Sequence, residues 1–89
     1  MENAQAPGFE FPCTYKIKAM GLDEPHFDAL VVEIIRRHQP DIQEGAVSRK
    51  PSKTGKYISV TVAIEAQSRQ QLDAIYDDLT AHEKVLMRL

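Results

Sequence analysis

Between Phe11 and Ala66 the hydrophobic period of this chain changes twice. From Phe11 to Met20 the residues alternate, with Phe11, Cys13, Tyr15, Ile17 and Ala19 on one side and Pro12, Thr14, Lys16, Lys18 and Met20 on the other. Phe27, Leu30, Val31, Ile34 and Ile35 then recur at i, i+3, i+4, i+7 and i+8. From Lys56 to Ala66 the alternation returns, with Ile58, Val60, Val62, Ile64 and Ala66 pointing inward and Tyr57, Ser59, Thr61, Ala63 and Glu65 outward. Period two, rich in β-branched and aromatic residues, specifies a strand with one wet face, and the i, i+3, i+4 stripe specifies an amphipathic helix. A one-sided helix between one-sided strands must cover the sheet that they form, which confines the chain to a layered α+β architecture.

The remaining segments complete the order. Pro12 has no N–H to donate and belongs at the start of the first strand. Asp23 is the expected N-cap of the first helix, with Glu24 and Pro25 in its first turn. Pro40 biases Gln39 away from helix, so that helix should stop near His38. Glu44 to Pro51 reads as a short edge strand blunted by Arg49, Lys50 and Pro51. Ser52 to Gly55 reads as a turn. Ser68 and Gln71 have the spacing of a capping box, followed by the stripe Leu72, Ile75, Tyr76 and Leu79 of a second helix. Glu83 to Leu89 reads as a last strand with Val85, Met87 and Leu89 on one face. Strand, helix, strand, strand, helix, strand, joined by right-handed crossovers, predicts a ferredoxin-like split βαβ sandwich. Its four-stranded antiparallel sheet has the order 4-1-3-2, with both helices on one face. Ile17, Phe27, Leu30, Ile34, Val60, Val62, Leu72, Ile75 and Leu79 form the expected core.

Composition sets the scale and excludes several classes. The chain has 89 residues, 43% of them hydrophobic and 27% charged, with a formal net charge of −2. That is one globular domain, expected to span residues 9–89 behind a flexible polar tail at 1–8. The longest apolar run, Ala29 to Val32, falls far short of a membrane span. No apolar signal segment occurs near Met1, so a cytoplasmic protein is expected. A slightly acidic chain is not a dedicated nucleic-acid binder. The single cysteine, Cys13, has no internal partner and lies on the inward side of its strand.

No catalytic or metal-binding constellation emerges, and neither a cofactor nor a metal is expected. Thr54-Gly55-Lys56-Tyr57 lacks the first glycine, the following helix and the magnesium-holding hydroxyl of a phosphate loop, and is a hairpin turn. His26, His38, His82 and Cys13 include no pair at metal-ligand spacing. Asp73, Asp77 and Asp78 lie on the solvated side of a helix. Base stacking, the usual device of RNA binders with this fold, would find Tyr57 on the outer face with Ser59 where a second ring is needed.

Two stretches carry a resemblance to a known family. Phe11-Pro12-Cys13-Thr14-Tyr15-Lys16-Ile17-Lys18-Ala19-Met20-Gly21 resembles the opening strand of the YbeD-like family of small bacterial proteins. Lys50-Pro51-Ser52-Lys53-Thr54-Gly55-Lys56-Tyr57-Ile58-Ser59-Val60 is similar to its Pro-Ser-x-x-Gly-x-Tyr-x-Ser hairpin. The Arg37-His38 helix end and the terminal Val85 to Leu89 strand also fit. The resemblance implies a ferredoxin-like fold similar to the ACT regulatory domain. ACT domains bind amino acids beside the loop after the first strand, where Asp-x-Pro-Gly often occurs. Here Asp23-Glu24-Pro25-His26 stands in its place, with histidine for the glycine.

These readings lead to a small non-catalytic domain, ACT-like, that binds a metabolite or a partner enzyme. A protein-interaction adaptor is the second reading and weak RNA binding a minor third. Three regions are candidates. Thr14, Lys16, Lys18, Tyr57, Ser59 and Thr61 should share the uncovered sheet face. Gly21, Asp23 and His26 mark the loop. Leu86 and Arg88 are expected on the face of the terminal strand away from the core, at an edge suited to weak self-association or partner docking along residues 85–89.

Overall fold

A computed structural model describes residues 10–89; the expected tail at 1–8 lies outside them. The element order is β1 (Cys13–Leu22), α1 (Phe27–Arg36), a 3-10 turn (Glu44–Ala46), β2 (Val47–Pro51), β3 (Tyr57–Ala66), α2 (Arg69–Ala81) and β4 (Met87–Arg88). The strands form one antiparallel sheet in the order β2-β3-β1-β4. This is the ferredoxin-like split βαβ sandwich.

The core follows from the two periodicities. β1 and β3 pair along their full lengths, from Cys13 opposite Ala66 to Leu22 opposite Tyr57. Their inward residues Ile17, Ala19, Val60, Val62, Ile64 and Ala66 are buried against Phe27, Val31, Ile34 and Ile35 of α1 and Leu72, Ile75 and Leu79 of α2. Leu30 is only half-buried, at the margin of this cluster. No buried residue among those described is polar or charged. Cohesion is therefore apolar, with the backbone ladders satisfying the buried amides.

The helices are fastened to each other at one end. Ser68 Oγ accepts from the Gln71 amide at 3.1 Å, as the capping pattern requires. Gln71 does not return the bond to Ser68. Its Oε1 accepts from the Gln67 amide at 2.8 Å, and its Nε2 donates to the His38 carbonyl at 2.9 Å. His38 Nε2 and Asp78 Oδ2 lie 2.7 Å apart, a second tie between the end of α1 and α2. Ser68→Ala should cost ~1 kcal/mol by removing the cap, measurable as a shift of the urea midpoint with unchanged slope.

Three expectations about local structure are corrected. Asp23 does not cap α1. The N-cap is His26, in the left-handed region at φ 71 with no side-chain capping bond. The amides of Asp23 and Glu24 are already engaged, by the Lys56 and Leu22 carbonyls. The segment Glu44–Ala46 forms a 3-10 turn, so the edge strand begins at Val47. The last strand is two residues long, because Val85 donates its amide back to the His82 carbonyl and remains in the preceding turn.

The facing of that last strand also differs from expectation. Met87 stands opposite Met20, an outward residue of β1, and Arg88 stands opposite the inward Ala19. Directly paired residues share a face. Met87 therefore belongs to the open face of the sheet, and Arg88 is directed to the helix side at the sheet edge. Leu89 exchanges both backbone bonds with Lys18 and joins Met87 on the open face.

Candidate functional site

The sheet face that carries no helix gathers the candidate residues predicted there. Alternation directs Thr14, Lys16, Lys18, Met20 and Leu22 of β1 to this face. The β1–β3 register sets Lys16 beside Ala63, Lys18 beside Thr61 and Met20 beside Ser59. Tyr57 stands next to Leu22. From β2, Lys50 joins them opposite Ser59. The side chains of Lys16 and Lys18 on β1 and of Lys50 on β2 thus project from one surface, on the two strands that flank β3. Glu65 adds a carboxylate to this face and accepts from the Thr14 hydroxyl at 3.4 Å. A chain with net negative charge has a locally basic sheet face.

Exposed apolar side chains lie on the same face. Leu22 is 41% exposed, Met87 51% and Leu89 69%. They gather around Met20 where β4 meets β1. Single exposed apolar residues are ordinary; several on one face, rimmed by lysines, mark a surface suited to association. Beside this patch a shallow depression of about 340 Å³ is lined by Lys18, Met20, Lys50, Lys53, Tyr57 and Ser59. The Lys56 ammonium sits 5.5 Å from the Tyr57 ring centroid, adding a cation at the hairpin end.

The candidate loop is divided. Gly21 lies inside β1, buried, with the Phe27 ring and the Lys84 carbonyl against its α-carbon. It is a packing glycine and does not reach a ligand. Asp23 and His26 line a separate depression of about 460 Å³ with Glu24, Asp28 and Arg49. Its charges are largely committed. Arg49 pairs with Asp28, and Lys84 reaches Glu24 at 2.7 Å, which holds the lysine ammonium above its ordinary pKa. The backbone at His26 takes the left-handed conformation that glycine adopts freely, here with a side chain present.

At the predicted edge, Leu86 is 56% exposed, yet its amide is bonded to the Met20 carbonyl. Tyr76 Oη donates to the Leu89 carbonyl at 2.7 Å, tying the end of β4 to α2. Burial, together with the neighbouring Tyr15 hydroxyl, pushes the Tyr76 hydroxyl well above the usual tyrosine range. Among the histidines, His38 is engaged with Asp78, and His82 Nδ1 accepts from the Lys84 amide at 3.1 Å. Cys13 is half-buried in β1. Among the described residues no three His, Cys, Asp or Glu side chains come together as a metal site, and no helix is long and apolar enough to cross a membrane.

One concavity has no counterpart in the sequence patterns. A groove of about 830 Å³ runs between α1 and the segment 42–47, with Ala29, Val32, Ile42 and Val47 as its apolar lining. Asp28, Glu33 and Glu44 share its lining with Arg36, Arg37 and Arg49, so the rim has no single sign of charge. Ile42, an isolated apolar residue in a polar stretch, was the only sign of it in the sequence.

Fold and surface together define a small ferredoxin-like domain whose open sheet face is basic and partly apolar. The chain belongs to the family described as protein of unknown function (DUF493), whose pattern matches residues 6–89. A UPF0250 protein of Neisseria gonorrhoeae is 43% identical over 76 residues, covering 85% of this chain and 84% of that protein. A UPF0250 protein of Chromobacterium violaceum is 43% identical over 81 residues, covering 91% of each. One from Hahella chejuensis is 38% identical over 85 residues, covering 96% of this chain and 93% of that one. The expected kinship with the YbeD-like family is thereby shown. In structure, the chain is similar to the solution structure of protein HP0495 from H. pylori, with a TM-score of 0.72 over 100% of this chain and 93% of that one. At 16% identity that likeness concerns the fold.

Proposed function

We propose that this protein is a non-catalytic, cytoplasmic regulatory module that docks an acidic surface of a partner protein on its open sheet face. The observation that carries the reading is the placement of Lys16, Lys18 and Lys50 on one face, on the two strands that flank β3, beside the exposed Leu22, Met87 and Leu89. Lysines steer and orient an anionic surface, while the apolar group supplies the area whose burial holds it. Tyr57, Ser59 and Thr61 contribute an amphipathic ring and two hydroxyls to the same face. A single aromatic ring offers little stacking for RNA, which leaves nucleic acid as the minor reading. A small metabolite in the loop depression beside Asp23 and His26 is the second reading, favoured by the left-handed backbone that shapes the loop at His26.

The test is capture from the native cytoplasm followed by affinity measurement on the purified partner. Lys18→Glu with Lys50→Glu should lose the captured protein while melting as the wild type does. Binding by the wild type should weaken steeply as salt is raised. Equal capture by the charge-reversed variant removes the open face from the reading. Stabilisation of the free domain by a metabolite, lost in His26→Ala, would put the loop in its place.

A further inference from the structure

β1 is longer than the strand that covers its outer edge. On the β3 side all ten residues from Cys13 to Leu22 are paired. On the other side β4 reaches only Ala19 and Met20, and the last bonds are those between Lys18 and Leu89. The Lys18–Leu89 exchange fixes which residues of β1 turn their N–H and C=O outward on this side: Lys18, and by alternation Lys16 and Thr14. Among the described residues nothing accepts or donates at the backbone of Thr14 or Lys16 on that edge. Both residues are exposed. Among the described residues a slot of five, Cys13 to Ile17, is therefore left in the sheet. Leu89 closes it at one end. At the other the chain bends at Phe11 and Pro12, and Pro12 has no amide to offer.

We infer that this slot is filled by the same five residues of a second copy, antiparallel about a two-fold axis at Tyr15. The segment is complementary to itself. Under that symmetry Thr14 pairs with Lys16 of the partner subunit, and Lys16 pairs with the partner's Thr14. Each pair exchanges both backbone bonds, so all four outward groups of each edge are satisfied. No like charges face each other directly, and a hydroxyl stands beside each ammonium. The length also fits in both directions. A partner strand extended past Cys13 would run into the lane that Leu89 holds beside Lys18, and the bend at Pro12 removes the chain at that point. The product is one continuous antiparallel sheet whose open faces merge, doubling the array formed by Lys16 and Lys18. This inference does not rest on the docking proposal: the slot is defined by backbone groups, and of the three docking lysines only Lys16 lies within it. An interface of one short strand predicts a dimer that dissociates on dilution.

The experiment is sedimentation equilibrium of the full chain over a concentration series, with two variants. Thr14→Lys puts lysine opposite lysine at both symmetric pairs and, within its own chain, gives Glu65 a cation, so the fold should be kept. Dimerisation should weaken about tenfold or more, with an unchanged melting temperature of the dilute protein. Thr14→Lys with Lys16→Glu puts opposite charges at both pairs and should restore dimerisation. A wild type that stays monomeric throughout overturns the inference. So does a Thr14→Lys variant that dimerises as the wild type does, and a double variant that stays monomeric overturns the register.

Discussion

Ile34→Ala should destabilise the domain by ~2–5 kcal/mol, which would leave much of the chain unfolded at room temperature. Ile34 is fully buried, on the face of α1 turned to the sheet. Its neighbours on that stripe, Phe27, Val31 and Ile35, are as deeply buried, so the helix rests on the sheet along its whole length. A small domain with an all-apolar core has no second core to absorb the cavity, and its total stability is expected to be about 5 kcal/mol. Urea unfolding followed by circular dichroism measures the change. A variant with the wild-type midpoint would mean that the stripe does not hold α1 to the sheet.

Gly21→Ala is the second large effect, expected to cost ~1–3 kcal/mol or more although it adds one methyl group. A Cβ at Gly21 would lie 2.5 Å from the Lys84 carbonyl oxygen and 2.5 Å from the Phe27 ring. One obstacle is backbone and the other is a core side chain, so neither yields without disturbing its own packing. Lys84 precedes the segment that places Val85 and β4, so the strain should reach the sheet edge. Gly45→Ala is the control, because nothing lies within 4 Å of its added atom. Thermal unfolding of the two variants should separate clearly, with Gly45→Ala close to the wild type. Equal melting temperatures would show that the β1 end moves freely.

Much of the fold was legible because two long alternating segments and one strong helical stripe leave few arrangements. The pairing of β1 with β3 at the centre follows from their ten-residue apolar faces, and the edge position of β2 from its charge and proline. What escaped was set by single hydrogen bonds. Asp23 has the side chain of a cap, but its amide is held by Lys56, and the helix begins after His26. In Val85-Leu86-Met87-Arg88-Leu89 four of the five side chains are apolar, so alternation there assigns no face. The register with Met20 does, and it puts Met87 on the open side.

The candidate site was legible in the same proportion. Lys16, Lys18, Tyr57, Ser59 and Thr61 read from the sequence as one face because parity within a strand fixes direction. Lys50, Met87 and Leu89 join them through cross-strand register, which no single segment encodes. The position of Gly21 after an alternating run points to a ligand loop. The strand continues one residue past it, and the missing side chain answers to Phe27 instead.

The central position of β1 has a consequence in time. It is synthesised before the other described elements and is among the last to be paired, because its partner β3 lies beyond α1 and the whole β2 strand. The β2–β3 hairpin closes locally through the turn at Gly55, whereas β1 waits until Ala66 has left the ribosome. Throughout that interval a segment with Tyr15, Ile17 and Ala19 on one side is in water without a mate. Lys16 and Lys18, interleaved among them, are the charges that keep such a waiting strand from pairing with other nascent chains. The lysines that give the finished sheet its basic face thus have an earlier task, guarding the chain while it is being made.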